Sequence, residues 1–156
     1  MASGPRKKAA RKAPARKAPP DLASWRENAD EVDHLAQLTA KALAAGELEP
    51  ARRHFAEYHE LLQKHMAHEE DVSFPLAEKT APSAGGPIKS LRVAHIGMRR
   101  DLEQIGAHLA LGHADAARAV FGAFLESFAA HERLEDQLVE LLRKSPAGTG
   151  SARRSG

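Results

Sequence analysis

The chain contains no cysteine. Disulfides, thiolate metal sites and cysteine nucleophiles are therefore excluded, and folding is indifferent to the redox compartment. Aromatic residues are few (one Trp, one Tyr, five Phe), and valine and isoleucine are sparse, which argues against a sheet. No apolar run approaches the roughly 18 residues that a membrane helix needs, so a soluble, cytoplasmic protein with no membrane partner is expected. The basic N-terminus is not followed by an apolar stretch, so it does not read as a secretory signal. There is no phosphate-binding loop and no Ser/His/Asp elbow motif. What is abundant is alanine, with glycine and proline clustered outside the periodic segments, and that composition favours helices.

Charge is unevenly spread along the chain. Residues 1–20 carry seven Lys/Arg (Arg6, Lys7, Lys8, Arg11, Lys12, Arg16, Lys17) and no Asp or Glu. The remaining 136 residues hold 16 bases against 21 acids, a balance of −5, which hides beneath the formal net charge of +2. The folded part is thus mildly acidic and offers no nucleic-acid surface of its own. The Ala/Pro/Lys/Arg tail cannot bury enough apolar surface to offset the entropy of ordering, and is expected to be disordered. It is either a polycation that touches nucleic acid or a solubilising extension.

Residues 21–144 read as four helices and residues 145–156 as a second disordered end. Helix 1 is expected from Asp21 or Ser24 to about Ala45, stopped by Gly46, with Val32, His34 or Leu35, Leu38 and Ala42 inward. Helix 2 starts near Glu49-Pro50 and carries the seam Phe55, Tyr58, Leu62, His65, Glu69, Val72, Leu76. A run of breakers, residues 80–87, comes after it as a loop. Helix 3 repeats the spacing with Ile88, Leu91, His95, Met98, Leu102, Ile105 and Leu109. Helix 4, capped by Asp115, carries Phe121, Phe124, Phe128, His131, Glu135, Leu138 and Leu142. Short connections predict an all-α, antiparallel up-down-up-down four-helix bundle.

The polar residues on these seams carry the chemistry. His65-x-x-x-Glu69 and His131-x-x-x-Glu135 each place an imidazole and a carboxylate on one helix face. His34 and His95 sit on the other two helices. A buried carboxylate without a partner is costly, and no Lys or Arg shares either stripe. Neutral histidines one turn back are good metal ligands instead. Four imidazoles and two carboxylates suit iron or manganese, and zinc would accept them. Two ions fit better than one. With both glutamates bridging, each ion takes about two nitrogens and two oxygens plus a bridging oxide or hydroxide, which leaves about one open position per ion. His54, His59, His108 and His113 are out of register and read as surface residues. Glu70, and His68 one turn from His65, read either as residues that support the ligands from behind or as surface residues, and Tyr58 as core that could line the pocket. The zincin motif fails because the second histidine is missing after His131-Glu132, and the ferritin-like Glu-x-x-His occurs once, at Glu31-Val32-Asp33-His34.

The stretch His65-x-x-x-Glu69-Glu70-x-x-x-Phe74-Pro75 closely resembles the second-helix signature of hemerythrin-like (HHE cation-binding) domains, and the resemblance covers about residues 22–143. It implies a four-helix bundle around a non-haem di-iron centre held by His34, His65, Glu69, His95, His131 and Glu135. The chain departs from the oxygen-carrying members, which have a second histidine four residues on in the third helix, where Arg99 stands here. Its four-His, two-Glu set is closer to repair-of-iron-centres proteins and to eukaryotic iron-sensing domains. That implies binding of O2, nitric oxide or peroxide, or of iron itself, in sensing, iron handling or oxidative and nitrosative stress defence. Two other readings stand beside it. One is a nucleic-acid-associated protein whose tail binds DNA while the bundle is a scaffold or iron-dependent adaptor. The other is an enzyme that reduces peroxide or nitric oxide, for which the sequence names no proton donor beyond Tyr58.

Overall fold

A computed structural model describes residues 28–145 of the chain. The basic tail, the helix starts expected at Asp21 or Ser24, and residues 146–156 lie outside the described residues. Those described are helical throughout, with no strand. Helix α1 spans Ala29–Ala45, α2 Leu48–His68, α3 Phe74–Thr80, α4 Gly85–Ala110 and α5 Ala114–Lys144. A π-turn, Glu69–Ser73, joins α2 to α3, and a 3-10 turn, Pro82–Ala84, precedes α4. The most extensive packing is α4 on α5 and α1 on α2. No helix among the described residues is long and apolar enough to cross a membrane.

Helix α1 stops where glycine allows it to. Gly46 takes a left-handed φ of 72°, and the Glu47 amide reaches back to the Ala42 carbonyl at 2.9 Å, which satisfies a carbonyl the helix leaves open. Its buried residues are Val32, Leu35, Thr39, Ala42 and Leu43. Of the expected pair His34 or Leu35, it is Leu35 that faces in, because the leucine gains more from burial. Thr39 is buried in place of Leu38, its hydroxyl donating to the Leu35 carbonyl at 2.8 Å.

The π-turn corrects the expected seam of the second helix. Pro75 has no amide proton, and in an α register its ring would meet the Asp71 carbonyl. The turn before it widens, and the Phe74 amide bonds to Glu69, five residues back. One extra residue in a turn rotates the rest of the helix by about 100°. Val72 and Leu76 are therefore 50% and 42% exposed, and Ser73, Phe74 and Ala77 are buried instead.

Two more expectations change. Gly85, Gly86 and Pro87 belong to the first turn of α4 and not to a loop, since a proline there gives up an amide that has no helical partner anyway. Asp115 lies inside α5 and not at its cap, where it pairs with Arg118 at 3.0 Å. The seams of α4 and α5 are otherwise as expected, with Ile88 through Leu109 and Phe121 through Leu142 buried at helical spacing.

The core is in two parts. One apolar cluster holds Leu62, Met66, Met98, Leu102, Phe124 and Phe128 with their neighbours. The other holds Phe74, Ala77, Ile88, Leu91, Leu138 and Leu142. On each seam the residues between the two clusters are polar: Glu69 between Met66 and Phe74, His95 between Leu91 and Met98, His131 and Glu135 between Phe128 and Leu138.

Candidate metal centre

That polar layer brings five of the six expected ligands together. Glu69, His95 and His131 form one group whose ligand atoms lie within 4.8 Å of one another, and all three are buried. His65, Glu69 and Glu135 form a second group on the same criterion, and it is only partly buried. Glu69 is common to both and divides its oxygens between them. Its Oε2 is 3.1 Å from His95 Nε2 and 4.0 Å from His131 Nε2, while its Oε1 is 3.6 Å from His65 Nε2. His65 Nε2 is also 3.8 Å from Glu135 Oε1. The Nε2 atoms of His95 and His131 are 2.8 Å apart.

The sixth expected ligand, His34, is not brought to this cluster. It is exposed on α1, next to the buried Leu35. Its neighbour Asp33 acts electrostatically on Tyr58 and Glu132, so this edge of α1 runs near the partly buried group.

The arrangement suits a cation because its lone pairs have nowhere else to go. Among the described residues, six buried side-chain polar atoms have no hydrogen-bond partner, and four are Glu69 Oε1, Glu69 Oε2, His131 Nδ1 and Glu135 Oε1. His131 Nδ1 and Glu135 Oε1 are 2.9 Å apart but are not aligned for a hydrogen bond. Native interiors leave few such atoms, and each calls for an explanation. Cations at the two groups would take up the lone pairs of both Glu69 oxygens and of Glu135 Oε1. The charge balance agrees. Burial and the nearby Glu135 carboxylate push Glu69 up to about 8. Burial acts on Glu135 in the same sense, but the imidazoles of His131 and His65 beside it hold it well below the usual range. Two carboxylates forced apart in this way mark a shared site.

The histidines are held unequally. The His95 ring stacks on Phe74 with centroids 5.6 Å apart, and its Nδ1 is 2.8 Å from Glu70 Oε1. Burial lowers its basicity even with Glu70 beside it. His131 stacks on Phe128 at 6.2 Å. His65 is 20% exposed, and its ring is raised in basicity by Glu135 and Glu69 against the effect of burial. Of the two readings of Glu70, support for a ligand or surface, the contact with His95 favours the first. Arg99 was legible only as the residue one turn past His95, and it grips Glu70 with two nitrogens at 3.0 Å each. A pairing between two helices leaves no periodic signal in either one.

A family model matches residues 24–150, and its description is the hemerythrin HHE cation binding domain. No curated protein and no solved structure matches the chain.

Proposed function

The chain belongs to the hemerythrin HHE cation binding domain family, and from that premise we propose that it is a non-haem di-iron protein that binds O2, nitric oxide or peroxide. The observation that carries this reading is the shared carboxylate: two groups of candidate ligands meet at Glu69, one on each of its oxygens. One ion would be held by Glu69, His95 and His131, the other by Glu69, Glu135 and His65. His34, exposed in this conformation, would have to swing in from α1 to complete the second set; α1 packs against both α2 and α5, the helices bearing His65 and Glu135. Each ion then has two imidazoles, a donor set that suits iron or manganese. The up-down-up-down order of the four long helices goes with this reading, because their connections are short.

Bound iron would supply ferrous–ferric redox chemistry and open coordination positions for a small molecule. The chain's own contribution is to fix the ligands and to keep water from one side. His95 and His131 are fully buried, each with a phenylalanine ring stacked on it, whereas His65 is 20% exposed, so among the described residues the open side of the site is that of His65. Roles in sensing, iron handling and stress defence all use such a site. Iron analysis with the visible spectrum tests the centre. Optical titration with O2, nitric oxide and peroxide in turn identifies the small molecule.

A further inference from the structure

Glu70 and Arg99 lie outside both ligand groups, yet they are tied to one member of one group. Arg99 Nη1 and Nη2 donate to Glu70 Oε1 and Oε2 at 3.0 Å each, and Arg99 Nε donates to Gln63 Oε1 at 3.3 Å. A two-pronged guanidinium–carboxylate pair is charge-assisted and fixed in plane. Both Glu70 oxygens accept from the guanidinium, so Glu70 faces His95 as an acceptor and the shared proton sits on His95 Nδ1, 2.8 Å away. The lone pair of His95 then lies on Nε2, the atom that faces Glu69 Oε2 and His131 Nε2. Phe74 stacks on the same ring, and Arg92 lies over Phe74 at 5.3 Å, so the ring is packed as well as hydrogen-bonded.

His65 has no such support. Its contacts are with Glu69 and Glu135 at 3.6 and 3.8 Å, both inside the cluster, and nothing among the described residues hydrogen-bonds its other nitrogen. A ring held in advance loses less freedom when a cation binds, and partners of this kind are worth about 10–100-fold in metal affinity.

We infer that Arg99, acting through Glu70 on His95, makes the buried Glu69–His95–His131 group the retentive cation subsite and leaves the His65–Glu69–Glu135 group exchangeable. This rests on the metal-binding reading. Arg99 is a positioning residue here, and its role differs from that of an ion pair that merely ties α4 to the π-turn. The pair orients one imidazole, so its loss acts on one ion and not on both.

The test is cobalt(II) release from the full chain. Protein loaded with cobalt(II) is challenged with excess EDTA, and bound cobalt is followed by its visible absorption. The wild type is expected to release two ions in two phases, one slow and one fast. Glu70→Gln and Arg99→Leu should speed the slow phase about 10–100-fold and leave the fast one within about threefold. Arg99→Lys, which keeps the charge but loses the fork, should fall between. Should Arg99→Leu not fold, Glu70→Gln and Arg99→Lys decide the matter. Equal acceleration of both phases, or an unchanged slow phase in a folded variant, overturns the inference. So does single-phase release of two ions by the wild type, which leaves the di-metal reading standing. A wild type that takes up no cobalt overturns both.

Discussion

The Phe74 amide bonds to the Glu69 carbonyl across five residues, and this bond turns the candidate metal ligand and the ring that stacks on His95 onto one side of the chain. An unbroken α-helix through the same residues would send Val72 and Leu76 inward. The two registers therefore predict different energetics. Phe74→Ala is expected to cost about 3–5 kcal/mol, since the ring is fully buried. Val72→Ala and Leu76→Ala should each cost less than about 1 kcal/mol, because both side chains are about half exposed. Urea unfolding of the three variants measures this, and the reverse ranking would restore the unbroken register.

Glu69 should make the metal-free protein less stable as pH rises. Its folded carboxyl titrates near 8 against an ordinary 4.5. The folded state thus holds a proton that the unfolded chain has already lost, and stability falls as pH climbs between those values. Glu69→Gln removes the titrating group. In chelator-stripped protein it is expected to raise the melting temperature at pH 8 relative to wild type, by on the order of 1–3 kcal/mol in stability, with the gap closing toward pH 5. The same variant should bind no metal pair. Thermal melts across pH 5–8 check the sign, and a variant less stable than wild type at pH 8 would contradict it.

The six-ligand reading makes a separate demand on His34. His34→Ala should lose the ion held with His65 and Glu135 while keeping the enclosed one, so that metal content drops from about two per chain to about one. His131→Ala should instead lose the enclosed ion first. Metal analysis of the two purified variants distinguishes them, and full occupancy in His34→Ala would remove His34 from the set.

Tyr58 is fully buried, yet its hydroxyl has no hydrogen-bond partner among the described residues. Burial, with the carboxylates of Glu132 and Asp33, also pushes its ionisation far up, so it stays neutral at ordinary pH. Tyr58→Phe is expected to leave the metal-free protein as stable as wild type or more so, by up to about 1 kcal/mol. A loss larger than that, measured by thermal melting, would mean that the hydroxyl has a partner.

Most of the helical layout was legible in the sequence because each seam has one period. Ile88 to Leu109 and Phe121 to Leu142 keep a spacing of three and four without a break, and the histidines on them fall where the period puts them. The period failed where the helix itself changes pitch. Pro75 was visible as a stop, but its effect on the preceding turn shifted Val72 and Leu76 outward. The polar cluster was legible as far as its candidate ligands share a seam, which covers His65, Glu69, His95, His131 and Glu135. The Glu70–Arg99 pairing was not, because it depends on how two helices are placed side by side. His34 was the hardest to place, since α1 has a thin apolar stripe and the adjacent Leu35 competes for the inward position.

If Glu69 joins two metal subsites, as proposed, iron should fill both. The most direct measurement is the iron content and optical spectrum of the full chain purified aerobically from iron-rich medium. About two irons per chain, with near-ultraviolet charge-transfer bands lost together in Glu69→Ala, is the expected result. Less than about one iron per chain, with no such bands, would contradict it.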